Sequence, residues 1–241
     1  MREQGRFGPV VLGLALVLGL SSLGYLMGRA ALSVKALERT VVVKGLSERE
    51  VPANVAAWPI TFQVAGNELH EVYETIEART AVVRRFVSEY GIGEDEVSIS
   101  PPSVVDLHAQ QWGNKENIKF RFAGTAAVTV YSENVAAVRD AMANVVDLGK
   151  QGVPVTGGPL PSQATNQFLF TRLNELKPEM IKEATENARV VAEKFAQDSN
   201  SRLGKIKSAQ QGQFSIADRD STTPHIKKIR VVSTVEYYLS D

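Results

Sequence analysis

From Phe7 to Gly28 the chain runs for 22 residues without a charged side chain. A helix rises about 1.5 Å per residue, so such a run is roughly 30 Å long, the hydrocarbon thickness of a bilayer. The segment is expected to span a membrane, with Phe7 and Gly28 marking its ends. Arg2 and Arg6 precede it and Arg29 and Lys35 follow it, so the balance of flanking charge says little about orientation. The layout says more: a very short N-terminal tail, a lone apolar segment and a long polar body are the arrangement of an exported protein. A cleaved signal peptide is the competing reading, with an apolar core of about 7–15 residues and a small-x-small cleavage site. Here the core is longer, and the best cleavage-like stretch, Met27-Gly28-Arg29-Ala30-Ala31, is interrupted by an arginine. The segment supports an uncleaved anchor over residues 1–35 and an extracytoplasmic domain over residues 36–241.

The domain is large enough to bury its own core. It has to, because the chain holds no cysteine, which excludes disulfide staples, thiol catalysis and thiolate metal sites. Outside the anchor and its flanks stand 23 basic and 26 acidic side chains, a net charge of −3 with the signs interspersed. Nucleic acid is therefore not expected as a partner, since a polyanion needs a concentrated positive face. The basic cluster Lys227, Lys228 and Arg230 reads as the solvated entry to a strand.

Thr40 to Lys44 is a β-branched run ending at Gly45, and Val55 to Ala65 alternates Ile60, Phe62 and Val64 with Thr61, Gln63 and Ala65; both read as strands. Pro59 removes a ladder donor, which favours an edge or a bulge near Trp58. Gly66-Asn67 supplies a turn and a helix cap. Between Glu68 and Tyr90, Leu69, Val72, Tyr73, Ile76, Val83, Val87 and Tyr90 recur at helical spacing, and Gly91 stands where a left-handed terminal residue is expected. Strands follow at Val97–Ser100 and, after Pro101-Pro102, at Val104–Leu107. Ile118 to Tyr131 is the clearest strand, with Phe120, Phe122, Gly124, Ala126, Val128 and Val130 on one face and a wet opposite face. Ser132 is expected to cap a second helix with Val135, Val138, Met142 and Val145 inward.

Residues 150–165, with Gly157-Gly158-Pro159, read as a long irregular connection. A short strand at Gln167–Thr171 leads to a long helix, Pro178 to Ser199, with proline in its first turn. Ala184, Ala188 and Ala192 form a smooth ridge beside Ile181, Val191 and Phe195, able to approach a sheet closely. The last strands are Leu203–Ala209 and Ile229–Leu239, with a polar excursion at 212–228 between them. The order is β-β-α-β-β-α-β-α-β-β. The fold class is α+β, layered: an N-terminal transmembrane helix, then long helices packed on a mixed, largely antiparallel sheet. Residues 55–100 and 118–171 both read strand, helix, strand, which hints at an internal duplication.

These residues resemble the SIMPL-domain family of bacterial exported proteins, often labelled oxidative-stress defence or periplasmic immunogenic proteins. The likeness covers residues 40–239. It is carried by Thr40-Val41-Val42-Val43-Lys44-Gly45, by Val51-Pro52-Ala53-Asn54-Val55-Ala56, and most strongly by Glu183-Ala184-Thr185-Glu186-Asn187-Ala188-Arg189 running on to Leu203-Gly204-Lys205-Ile206. Asn54 stands where the family usually has Asp. Phe170-Thr171-Arg172-Leu173-Asn174-Glu175-Leu176-Lys177-Pro178 and Gln211-Gly212-Gln213-Phe214-Ser215-Ile216 look like signatures of a membrane-anchored branch. The resemblance implies a single-pass protein of the bacterial inner membrane with its domain in the periplasm. It also implies homo-oligomers, since some members form ring-like assemblies, and a role in envelope or oxidative stress, with no established reaction.

No catalytic set emerges from the residues. His70, His108 and His225 are scattered, and His70 with Glu74 at i, i+4 lacks a third ligand, so a solvated helix face is the expected reading. Asp218 and Asp220 show no calcium-loop spacing, no Gly-x-Ser-x-Gly elbow occurs, and the glycines of Gly91-Ile92-Gly93 follow a helix instead of opening one. Neither a metal nor a cofactor is expected. Trp58 reads as core. Trp112, in a polar hairpin tip beside Gly113, is the candidate interface residue, for another subunit or the membrane surface. The functional expectation is a non-enzymatic assembly or interaction module that contacts the membrane through its N-terminal helix, copies of itself and an envelope protein. The alternatives are a small-ligand-binding protein with a groove near Tyr73, Tyr90 or residues 212–228, and an unrecognised hydrolase.

Overall fold

The computed structural model describes residues 7–36, 39–109, 119–156 and 166–240. In chain order its elements are α1 (Phe7–Ala36), β1 (Thr40–Pro52), β2 (Val55–Gly66), α2 (Leu69–Glu89), β3 (Val97–Ile99), β4 (Ser103–Asp106), β5 (Phe122–Ser132), α3 (Val135–Ala143), α4 (Val146–Lys150), β6 (Gln167–Leu169), α5 (Leu173–Asp198), β7 (Arg202–Gln211), β8 (Ser215–Asp218) and β9 (Ile226–Ser240). They form two compact units. The first joins Met1–Glu48, Lys177–Phe214 and Arg230–Asp241, and the second joins Arg49–Leu176 and Ser215–Ile229. The fold is α+β, with long helices on mostly antiparallel sheets.

The second unit holds a five-stranded sheet of order β3-β5-β2-β6, with β4 also on β5. β2 and β5 run antiparallel over their whole lengths, from Ala56↔Ser132 to Gly66↔Phe122. The path β2-α2-β3 then β5-α3-α4-β6 repeats one strand-helix-strand unit, and each half places its last strand beside the first strand of the other. This is the split β-α-β arrangement of ferredoxin-like folds, and it gives the internal duplication a structural form. Pro101-Pro102 separates β3 from β4, and both pair with β5.

Alternation dictates the core of this unit. Trp58, Ile60, Phe62 and Val64 on β2 and Ala126, Val128 and Val130 on β5 pack with Val72, Ile76, Val83, Phe86 and Val87 of α2 and Val138, Ala141 and Leu148 of α3 and α4. Leu69 and Tyr73, expected inward, are 45% and 40% exposed, and Phe86 takes the inward place. Pro59 lies past the three residues that β6 covers. Its flank is that of Thr61 and Gln63, whose carbonyls accept Thr156 N–H at 2.8 Å and Arg79 Nη1–H at 2.8 Å, so the missing N–H falls where no described strand pairs.

Several boundaries differ from expectation. Asn67 does not cap α2: its Oδ1 accepts Arg121 N–H at 3.1 Å, and the residue preceding the helix is Glu68 with no side-chain cap. Asn134, not Ser132, caps α3 by accepting Ala137 N–H at 3.1 Å, while Ser132 Oγ accepts Asn134 N–H at 3.0 Å. β5 begins at Phe122, and Ile118 lies outside the described residues. Of the expected irregular stretch, Val153 is buried and Val155 bridges Phe62; residues 157–165 lie outside the described residues. The excursion at 212–228 contains a strand, β8, paired with β9. Gly91, at φ +78°, ends α2 as expected.

The first unit is built on β1-β9-β7 and α5. β7 and β9 are antiparallel, from Arg202↔Ser240 to Gln211↔Ser233, and Leu239 N–H donates to Arg39 O at 2.8 Å. The alanine ridge Ala184, Ala188, Ala192 and Ala196 is fully buried or nearly so, and Val43, Val235 and Tyr237 pack on it. β1 does not stop at Gly45. The strand runs on to Pro52, and Gly45 stands within it because it lies under α5, where a side chain has no room. Val191 and Phe195 turn outward, 39% and 55% exposed. α5 starts five residues earlier than expected, so Pro178 lies inside it. Glu175 in the first turn pairs with Arg172 at 2.9 Å and favours that start.

Candidate functional site

α1 is uncharged from Phe7 to Gly28, and none of its window Val11–Ala30, with mean hydropathy 1.9, is buried among the described residues. Leu12, Val17, Leu20 and Met27 are each more than 60% exposed. Among the described residues none packs on that window. At its C-terminal end the Arg29 guanidinium lies 5.9 Å from the Tyr25 ring centroid. By length and composition α1 is a candidate membrane span.

The three histidines form no reactive group. His70 Nε2 is 3.2 Å from Glu74 Oε1, with side chains 84% and 64% exposed, a solvated pair. His108 lies in a turn, its N–H donating to Asp106 Oδ1 at 2.9 Å. His225 packs edge-on to Phe168 with ring centroids 6.0 Å apart, and its carbonyl accepts Ala53 N–H at 2.8 Å. Burial, then the charges of Arg139 and Arg219, hold its imidazole below the ordinary histidine range.

Asp218 and Asp220 are consumed by structure. Asp220 Oδ1 accepts Thr222 and Thr223 N–H at 2.8 and 2.7 Å, and Oδ2 accepts the Thr223 hydroxyl and Arg219 Nε–H. These bonds, the Thr223 hydroxyl first, hold its carboxyl far below the usual carboxylate range. Asp218 pairs with Lys227. Lys227 is thus not a solvated entry residue but is buried, 7% exposed, on the inward face of β9. Among the described residues no group of three or more His, Cys, Asp or Glu side chains could hold a metal ion.

Asn54 forms a reciprocal clasp: its Nδ2–H donates to Thr171 Oγ1 and its Oδ1 accepts Thr171 N–H, both at 2.8 Å. This joins the start of β2 to the residues after β6. A shallow concavity of about 320 Å³ lies on the sheet face opposite α2, lined by Gln63, Val105, Leu107, Ala123 and Thr125. A second, about 270 Å³, lies beside the end of α2 and is lined by Arg84, Arg85 and Ser88. Tyr73 and Tyr90 line neither, and Tyr90 packs on Phe86 at 5.1 Å. Trp112 lies outside the described residues.

Residues 41–237 match the SIMPL family, described as a protein of unknown function (DUF541). The chain belongs to the SIMPL family. The match spans both units, so the insertion of the ferredoxin-like unit between β1 and α5 is part of the SIMPL region itself. Gly45, the alanine ridge of α5 and the Asn54 clasp all fall within it. Comparison with curated proteins gives no match.

Proposed function

We propose that this SIMPL protein is a single-pass anchored, non-enzymatic interaction module, with residues 1–35 in and beside the bacterial inner membrane and residues 36–241 acting as one domain in the periplasm. The observation that carries the reading is α1: a 30-residue helix whose residues Phe7 to Gly28 hold no charge, and no described residue buries its membrane-length window. Burying such a surface releases about 25 cal/mol per Å², and a bilayer is the environment that matches its length. The cysteine-free body with its own packed cores is suited to an extracytoplasmic compartment without needing disulfides. Function then lies in contacts: with further copies, through surfaces that include Trp112, and with an envelope partner under stress.

Native mass spectrometry of the full chain extracted from membranes tests the assembly part. A multiple of 26.3 kDa is expected. A monomer at all concentrations, free of bound protein, would contradict it.

A further inference from the structure

The connection between α1 and the first unit is short enough to constrain what the unit can touch. Only two residues separate Ala36 from Arg39, the first described residue after the helix. At 3.8 Å per Cα step, Arg39 lies within about 11 Å of the end of α1. From Ala30, the end of the apolar window, to Ala36 the helix adds about 9 Å. The end of the unit that carries Arg39 is therefore held within about 20 Å of the hydrocarbon boundary, and headgroups fill the first several ångströms of that gap.

Four segments converge at this end. Arg39 Nη2–H donates to Ser201 Oγ at 3.1 Å, and its carbonyl accepts Leu239 N–H. Ser201 N–H donates to Ala196 O at 2.8 Å, which closes the C-terminus of α5, and Arg202 opposes Ser240. Among the described residues the exposed charges around this junction are Arg39, Lys194, Arg202 and Lys205 against Asp198 and Glu193, the last paired with Arg189 at 3.0 Å, and Phe195 is exposed beside Lys194. None of Lys194, Arg202 and Lys205 forms an ion pair with a described residue. In a body of net charge −3, the described side chains at the end the tether holds next to lipid are thus predominantly basic. Basic side chains close to an anionic surface are attracted within a Debye length, and an exposed apolar ring such as Phe gains by entering the headgroup–acyl boundary.

We infer that this end of the first unit, presenting Lys194, Phe195, Arg202 and Lys205, rests on anionic phospholipid headgroups of the bilayer that α1 enters. The inference rests on the anchor reading above. It gives the domain a fixed attitude on the membrane, with the opposite end of β7 turned away.

The cysteine-free full chain allows a direct test in nanodiscs of phosphatidylcholine with or without phosphatidylglycerol. Gln197→Cys, at the basic end, and Gln211→Cys, nine residues along β7 from Arg202 and roughly 30 Å away, each carry a fluorophore read against headgroup-quencher lipid. Quenching at position 197 is expected to exceed that at 211 by about threefold in anionic discs. It should shrink in pure phosphatidylcholine, at high salt and in Lys194→Gln/Arg202→Gln/Lys205→Gln, whose three sites are exposed. Co-elution with the disc but equal quenching at both positions, or no response to lipid charge and the triple variant, overturns the inference alone. A chain that does not co-elute with the disc overturns the anchor and the inference together.

Discussion

Gly45 sits so close to Ala184 that a Cβ at position 45 would fall 1.9 Å from the Ala184 carbonyl oxygen and 2.4 Å from the Ala188 backbone nitrogen. Backbone meets backbone there, and no rotamer change can relieve the contact. Gly45→Ala must push α5 off β1 and is expected to destabilise the chain by about 2–3 kcal/mol. Gly149 in α4 has nothing within 4 Å of a built Cβ, so Gly149→Ala should be neutral or stabilising by up to about 1 kcal/mol. Urea unfolding of both variants checks the contrast.

Asn54→Ala removes both bonds of the clasp with Thr171. Because the groups are exposed, the expected loss is about 1 kcal/mol. Asn54→Asp keeps an acceptor for the Thr171 N–H and can accept the Thr171 hydroxyl, so its unfolding midpoint should stay near that of the natural chain.

The Lys227–Asp218 pair is asymmetric, with side chains 9% and 49% exposed. Asp218→Asn leaves a buried ammonium without its counter-charge and should cost about 1–2 kcal/mol, while Lys227→Met removes the buried charge and should cost less. Thermal unfolding of the two variants tests the order. Equal losses would contradict it.

Much of this architecture was legible because its signals are local. The uncharged run at Phe7–Gly28, the alternation of β5 and the four-residue alanine spacing of α5 each report their own environment, and Trp58 and the proline break at Pro101-Pro102 read correctly for the same reason. What was not legible depended on distant partners. Gly45 looked like the end of a strand because the helix above it comes some 140 residues later. Lys227 looked solvated because only the pairing of β8 with β9 brings Asp218 to it. Ser132 and Asn134 are both competent caps two residues apart, and chain geometry chose the second. Of the candidate site, the long apolar helix was readable from composition, whereas the grouping of side chains near Arg202 required the strand ends to be assembled.

His225 supplies a pH signature. Its folded-state pKa lies below the unfolded value of 6.5 because burial and the nearby arginines disfavour the charged form. The unfolded chain therefore binds the proton first as pH falls, so stability rises with pH below 6.5 and levels off above it. Urea midpoints measured between pH 5 and 7.5 should show this slope, and His225→Gln should flatten it.

The central claim, that α1 is lodged in a bilayer, is tested most directly by alkaline carbonate extraction of membranes containing the full-length chain. The account predicts that the intact 26.3 kDa polypeptide stays in the membrane pellet. Recovery of that same full-length polypeptide in the supernatant would contradict it.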